Sequence, residues 1–395
     1  MTRTQKRREG RRVVVSTTIP RTVDGFYGEI IDVLRADGFQ VHVITSDGPE
    51  VPRLRRRADE VHIIPMARQV SLVKDIRALA LWIRTLGDLQ PVFVLAGTPK
   101  AGLLGMVAAR LTRTPRRAYF LQGLRLEGVG GLQSVVLGRM EWLTSRCSQV
   151  IIAVSPSLAS RYEQLGLAAG RSVVVPHNGS SHGVDTDYFV PVPKPIDSRA
   201  HLGLQPDTPV VTFMGRLTAD KGPKALLGAL NLVRESGREV QLLVLGAQDE
   251  GDSSFHVDEI RRSQTPVTVL DHIQDVRPCL GATDVLVLPT RREGMPNAVL
   301  EAAAMGKPAI TTDATGAIDS VIDGVTGIIV PVDDVDALGR AIISLISDES
   351  LRARMGSAAL ARVTTDFQPA DVARAVVDLG LGRSPTYESH DLGDV

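Results

Sequence analysis

The residues most able to do chemistry in this sequence fall in two clusters in its second half. The first is RREGMPNAVLEAAAMGKPAITT, directly after the apolar run VLVLPT. Pro296 suits the first turn of a helix, so Gly294, Met295 and Asn297 around it are expected to present backbone N–H groups at a helix N-terminus, an end that favours an anion. Glu293 stands just before that helix and Glu301 inside it, roughly 12 Å apart at the 1.5 Å rise of a helix. A glycosidase pair needs about 5–9.5 Å. The separation does suit the two ends of one nucleotide sugar, with Glu293 at the sugar hydroxyls and Glu301 at the ribose. Without a ligand, Glu293 would simply complement the helix dipole and Glu301 would be a solvated helix residue.

The second cluster, FMGRLTADKG, follows the run VVTFMG. After Gly215, Arg216 offers a permanently charged fork of donors and Lys221 adds a compact charge, a pairing suited to a diphosphate. Two surface cations on a loop are the plainer reading. Other signals are weaker. The loop IPRTVDGFYGE holds Gly25 and Gly28 but lacks the full dinucleotide fingerprint, which leaves a close-approach loop beside an acceptor and no case for NAD. His177, His182 and Asp185 are too few for a metal site and fit turn hydrogen bonding. No Asp-x-Asp follows a strand, so neither a divalent metal nor another cofactor is expected.

Positioning these residues requires strands that end where they begin. Short β-branched runs (RRVVVSTT, QVHVITS, VHIIPMA, PVFVLAG, RAYFLQG, QVIIAVSP, SVVVPHN) alternate with stretches of helical periodicity such as DIRALALWIRTL and KAGLLGMVAARL, the pattern of a doubly wound parallel sheet. The proline-rich stretch PVPKPIDSRAHLGLQPDTP reads as a linker. The alternation restarts with VVTFMG, VQLLVLG, VTVLDH, VLVLPT, PAITT and GIIVPV. The expected organisation is a basic tail over 1–11, an α/β domain over 12–192, a linker over 193–208, a second α/β domain over 209–366, a helix over 367–382 and a polar tail over 383–395. Such sheets bind ligands outside the carboxyl ends of their strands, so the site is expected in the crevice between the domains.

Composition agrees with two cores. The 395 residues are 43% hydrophobic and 23% charged, as in ordinary soluble domains. Cys147 and Cys279 stand far apart and outside any Cys-x-x-Cys or Cys/His cluster, which suggests neither a disulfide framework nor a structural zinc site. No apolar run approaches the roughly 18 residues that span a bilayer, and the N-terminal segment lacks a signal-peptide core, so a cytoplasmic location is expected. The zero net charge hides an asymmetry: residues 1–190 hold 26 Lys+Arg against 16 Asp+Glu, and residues 191–395 hold 19 against 29. Arg53, Arg55, Arg56 and Arg57, with Arg110, Arg113, Arg116 and Arg117, point to peripheral contact with an anionic membrane face, the helix KAGLLGMVAARL lying at most in the interface. Solvated charge is the alternative. Nucleic acid is not an expected partner. Neither a coiled-coil seam nor an exposed apolar strip is legible, which leaves the oligomeric state open.

In this order, the motifs resemble those of the retaining GT-B-fold glycosyltransferases of the Glu-x7-Glu type, over nearly the whole chain to about residue 380. The resemblance implies two Rossmann-like doubly wound domains facing each other across a cleft. It assigns the motif to Glu293 and Glu301 and the diphosphate pair to Arg216 and Lys221, with Gly215, Ile273, Gly294, Met295, Pro296 and Asn297 completing the donor side. The segments TPKAGLLG at 98–105, GLRLEG at 123–128 and GSSHGVDTDYF at 179–189 look like bacterial members that build capsular and other surface polysaccharides. By the same resemblance Gly25, Lys100, Gln122, Arg125 and Glu127 lie on the acceptor side. The implied reaction moves a hexose or N-acetylhexosamine-type sugar from a nucleotide sugar, typically UDP-linked, to a saccharide, typically lipid-linked.

Two departures matter. His182 stands where many relatives have Asn, and Gln122 where many have His; Gln122 cannot act as a base. Members of this type retain configuration by same-face attack, the leaving diphosphate taking the acceptor's proton, so Arg216, Lys221 and the helix end would act electrostatically. A sugar-nucleotide epimerase and a non-catalytic sugar or nucleotide receptor share the architecture. Release of UDP only on adding an acceptor separates all three.

Overall fold

The computed structural model describes residues 11–67, 71–191, 195–246, 253–271 and 273–384. Residues 1–10 of the expected basic tail, 193 and 194 of the expected linker, and the expected polar tail from 385 onward lie outside the described residues. The chain divides into two compact units, Met1–His182 together with Pro369–Val395, and Gly183–Gln368.

In the first unit, seven parallel strands form one sheet: β1 (Arg12–Ser16), β2 (Gln40–Thr45), β3 (Glu60–Ile63), β4 (Phe93–Gly97), β5 (Arg116–Leu121), β6 (Val150–Ala153) and β7 (Ser172–Val174), in the order β3-β2-β1-β4-β5-β6-β7. Val13, Val14, Val15, Val94 and Leu95 are fully enclosed, because crossover helices cover both faces of a parallel sheet. The direction of winding reverses between β1 and β4. The loops leaving those strands therefore end beside each other at a switch point, where doubly wound sheets take ligands.

The second unit repeats the plan with β8 (Val210–Met214), β9 (Gln241–Leu245), β10 (Val267–Leu270), β11 (Val285–Leu288), β12 (Ala309–Thr312) and β13 (Gly327–Val330), ordered β10-β9-β8-β11-β12-β13. Its switch point falls between β8 and β11, paired through Val211 with Val285 and Thr212 with Leu286. Both chemistry-bearing clusters of the sequence follow these two strands. Their proximity is a consequence of topology.

Two expectations are corrected. Much of the stretch 193–208 is ordered structure: helix Pro195–His201 forms there, Arg199 donates to Asp284 at 2.6 Å, and Leu204 joins the core of the second unit. That unit also takes in 183–191, whose Phe189 packs against the same core, so the division falls before Gly183 and not after residue 192. The last helix, Pro369–Leu381, packs on the first unit. Val372, Val376 and Val377 are buried there, a Cβ at Gly380 would meet the Phe93 ring at 2.6 Å, and Arg374 and Arg383 donate to Asp37 at 3.0 and 2.5 Å.

The second correction of kind concerns surfaces. Helix Pro99–Leu111 buries Ala101, Leu104, Met106, Ala108 and Ala109, so it cannot lie in a membrane interface. It is flanked by helices Leu72–Leu89 and Gly131–Cys147, and these carry the exposed apolar side chains, Leu72, Val73 and Ile76 on one and Leu132 (80% exposed), Val135, Val136 and Leu143 on the other. The 132/135/136/143 spacing is a helical stripe turned to solvent. An exposed strip therefore exists, contrary to the sequence reading, which could not tell an outward stripe from a core-facing one.

Candidate active site

In the second unit, the loop after β8 leaves the sheet at Gly215, where φ is 153°. Its N–H donates to Leu245 at 2.9 Å, and a Cβ on Gly246 would stand 2.3 Å from the Gly215 carbonyl, so two backbones meet there with no room for side chains. Arg216 is exposed while Leu217 is fully buried and anchors the loop. A short 3-10 turn, Ala219–Lys221, ends at Gly222 with φ 71°, where a Cβ would approach the Pro289 carbonyl to 1.9 Å. Only glycine permits that closeness.

The two loops are fastened together at several points. The Arg291 N–H and the Thr290 hydroxyl donate to the Asp220 carbonyl at 2.8 and 3.2 Å. The Asp220 carboxylate pairs with Arg292 at 2.8 Å and accepts from the Thr218 hydroxyl at 2.5 Å. Burial raises the pKa of Asp220, but the Thr218 hydroxyl and the charges of Arg292, Lys221 and Arg216 outweigh it, leaving a net lowering. Lys221 donates directly to the Glu293 carboxylate, both side chains being largely enclosed. Sequence reading sent Lys221 to a diphosphate and Glu293 to a sugar; the structure brings the two into contact.

Glu293 is also held through its backbone. Its N–H donates to Thr315 at 2.8 Å, and Gly316 (φ 75°) lies so near that a Cβ would come within 2.5 Å of the Glu293 carbonyl and 2.3 Å of the Gly294 carbonyl. Gly294, Met295 and Pro296 are buried. Pro296 is the N-cap of helix Asn297–Ala304, with an extended ψ of 104°, rather than a residue of its first turn. Glu301 lies within that helix, between the enclosed Leu300 and Ala302, and burial pushes its carboxyl up to about 7. It is therefore not the solvated residue of the plainer reading. Ile273, half-buried after β10, packs against the unit's core.

At the switch point of the first unit, Tyr27 follows helix Pro20–Phe26 and is fully buried. A Cβ on Gly97, the last residue of β4, would fall 1.8 Å from the Tyr27 hydroxyl and 3.2 Å from Gln122 Oε1. The Tyr27 hydroxyl and Gln122 Nε2 are buried and have no hydrogen-bond partner among the described residues. Burial alone raises the Tyr27 pKa far above its ordinary value, so the phenol stays neutral. Gly25 is exposed beside Phe26, whose ring meets His182 at 4.9 Å; burial lowers the His182 pKa to about 4, keeping that imidazole neutral.

The remaining sequence candidates stand in varied surroundings. Lys100, 6% exposed, donates to both carboxylate oxygens of Asp75 at 2.6 and 2.7 Å, so its buried ammonium is held by a counter-charge. Glu127 pairs with Arg161 at 3.1 Å, and Arg125 is exposed on the 3-10 turn Arg125–Gly128. Asp185 accepts from the N–H groups of Asp187 and Tyr188 at 3.0 Å, an Asx turn rather than a metal ligand. Sequence reasoning missed Tyr27, Asp220, Arg292 and Gly316. The first was written in the glycine-flanked FYGE loop, and the others carry no local signal.

Two doubly wound units, with basic and acidic loops interlocked at the switch point of the second, define a GT-B glycosyltransferase. Family models agree: "Glycosyl transferase 4-like domain" matches residues 27–178 and "Glycosyl transferases group 1" matches 208–348. The chain belongs to the group 1 glycosyltransferases. It is 36% identical to the capsular polysaccharide biosynthesis glycosyltransferase CapM of Staphylococcus aureus, over 89% of this chain and 91% of that protein. It is 25% identical to the UDP-Gal:alpha-D-GlcNAc-diphosphoundecaprenol alpha-1,3-galactosyltransferase of Escherichia coli, over 81% and 83%. In fold it matches Anabaena HepE, solved with UDP and glucose, at a TM-score of 0.78 and 22% identity, covering 93% of this chain and 99% of that one.

Proposed function

We propose that this enzyme is a retaining hexosyltransferase, transferring a hexose or N-acetylhexosamine-type sugar from a UDP-sugar to a saccharide carried on a lipid diphosphate during surface polysaccharide assembly. The observation that carries the reading is the Lys221–Glu293 contact beside Arg216, built by interlocked loops at a switch point. The capsular role named for the S. aureus relative and the UDP-Gal and diphosphoundecaprenol named for the E. coli relative support the choice of pathway, donor and acceptor.

In this reading Arg216 and Lys221 meet the diphosphate, the segment Gly294–Asn297 adds backbone donors, Glu293 accepts from a donor-sugar hydroxyl and Glu301 from the ribose. Gly215, Met295 and Ile273 shape the donor pocket. The acceptor hydroxyl attacks the anomeric carbon from the face the diphosphate leaves. The C–O bond to the diphosphate breaks as the new glycosidic bond forms, and a phosphate oxygen takes the hydroxyl proton. Charge builds up on the leaving group, which is where fixed cations lower the barrier. No metal or other cofactor takes part.

On the acceptor side, the unpartnered Tyr27 hydroxyl and Gln122 amide suit the hydroxyls of an incoming sugar, together with Gly25 and Arg125. Among the described residues no helix is long and apolar enough to cross a membrane. Peripheral association is proposed through Leu72, Ile76, Leu132, Val135 and Val136, with Lys74, Arg77 and Arg139 exposed on the same two helices. Apolar side chains ringed by cations suit an anionic lipid surface.

The test is UDP release measured with UDP-sugars against a panel of lipid-diphosphate-linked saccharides. Release should depend on acceptor, and the new linkage should keep the donor's α configuration. Isomerisation of the UDP-sugar with no net UDP release, whatever the acceptor, would sink the transferase reading in favour of an epimerase; binding without turnover would favour a receptor.

A further inference from the structure

Strands β2 and β3, at the edge of the first unit's sheet, bring together three side chains that the transfer reaction does not use. In the parallel ladder His42 stands opposite Glu60, and Ile44 opposite His62. Because side chains alternate along a strand, Glu60 and His62 point to the same face as His42. His42 Nδ1 lies 3.1 Å from His62 Nε2 and 3.4 Å from Glu60 Oε2, and the last two atoms are 3.7 Å apart. All three are potential ligand atoms within 4.8 Å of one another.

That triangle has the dimensions of one face of a metal tetrahedron. Bonds of about 2.0–2.2 Å from zinc to imidazole nitrogen or carboxylate oxygen place tetrahedral ligands roughly 3.3–3.6 Å apart, bracketed by the three distances observed. A hydrogen bond between the rings would account for the first distance alone. It leaves unexplained why a carboxylate closes the triangle. We propose that His42, Glu60 and His62 bind one divalent transition-metal ion, of which zinc is the clearest case.

Two imidazoles and one carboxylate match that class of ion, whereas calcium and magnesium take oxygen ligands. Nearby groups leave the face clear: Asp59 accepts from the Val41 N–H at 2.8 Å, and Arg12 donates to the Leu89 carbonyl at 3.2 Å. The His42 side chain is 7% exposed and that of His62 20%, so the rings are held in place, while Glu60 at 58% opens the fourth position to water. The ion would tie the four-residue edge strand β3 to β2 and so stabilise the sheet margin. It has no part in transfer, since β2 and β3 lie at the edge of the sheet and not at a switch point.

The test uses the full chain without a histidine tag, stripped of metal with a chelator. Calorimetry with zinc chloride should give one site, and zinc should raise the melting temperature. Glu60→Gln and His62→Gln, both at solvent-reachable positions, should lower zinc affinity at least about tenfold, the smallest loss expected even for an outer-shell partner. Turnover should be the same before and after stripping. Cobalt(II) should give the intense visible bands of tetrahedral coordination in the native chain and lose them in His62→Gln. Cys147 and Cys279 are both buried, so surface thiols do not compete. Equal zinc affinity in the native chain and both variants, or no saturable uptake by the native chain, would overturn the site and leave the two rings as a hydrogen-bonded pair.

Discussion

Replacing Glu293 with Gln separates the two jobs that the Lys221–Glu293 contact combines. Only 13% and 14% of these side chains are exposed. An exposed ion pair contributes roughly 0–1 kcal/mol, and removing one partner of a fully buried pair costs about 3–5 kcal/mol; this pair falls between, at about 2 kcal/mol. A diphosphate that engages Lys221 competes with the carboxylate for it. Glu293→Gln keeps the shape and removes the competitor, together with a negative charge beside an anionic ligand. Free UDP should then bind about 5–30-fold more tightly, which is 1–2 kcal/mol at 1.4 kcal/mol per decade. Transfer should move the other way. A donor-sugar hydroxyl loses a charged acceptor worth about 1.5–3 kcal/mol, so turnover should fall by about 10–150-fold. Calorimetry with UDP and steady-state transfer are measured on the native chain, Glu293→Gln, Lys221→Ala and the double variant. The tightening should vanish in the double variant. If Glu293→Gln binds UDP no better than the native chain while Lys221→Ala binds it less well, the pair does not compete for the diphosphate.

Arg216→Ala should reduce turnover by a factor of order 10² with little change in stability, because the exposed guanidinium meets charge that grows in the transition state; full turnover at saturating donor would remove it from the reaction. Glu301 has its carboxyl near 7 before any ligand binds, and hydroxyl donors from a ribose would favour the carboxylate and lower that value. UDP binding near pH 7 should therefore release protons and strengthen as pH rises through 7. Calorimetry in buffers of different ionisation heat would show it, and an unchanged proton count in Glu301→Gln would place the ribose elsewhere. With anionic vesicles the native chain should sediment, and Leu132→Ser/Val136→Ser should sediment less; neutral vesicles should capture neither, and equal sedimentation of the two chains would clear this stripe of the role.

The thirteen strands of the described residues all answer to apolar runs legible in the sequence, because parallel strands buried on both faces leave an uninterrupted β-branched signature. Strand order and the two switch points were not legible, since they depend on pairing across the chain. Helix 195–201 was masked by its prolines: Pro195 opens it, at the one helical position that tolerates proline. In the candidate site, Glu293 and Lys221 were read as ligands of different groups because nothing local says that loops 72 residues apart in sequence are fastened together. Glu301 was readable as a motif but not as a half-buried acid with a raised pKa, since its surroundings come from the packing of its helix and not from its neighbours in sequence.

The same distinction sorts the acceptor side. The resemblance of their segments singled out Lys100 and Glu127, and both charges have partners within the protein, Asp75 and Arg161. A neutral donor left without a partner is the better pointer. Burying a hydroxyl or an amide unpaired costs about 1–3 kcal/mol each, and two of the first unit's buried, unpaired donors, on Tyr27 and Gln122, lie next to a glycine whose missing Cβ makes room for the phenol. That arrangement is costly for the free protein and offers ready-made partners to a ligand rich in hydroxyls. Neither group titrates near neutral pH, which accords with a reaction in which the departing diphosphate, and no side chain of the acceptor side, removes the proton.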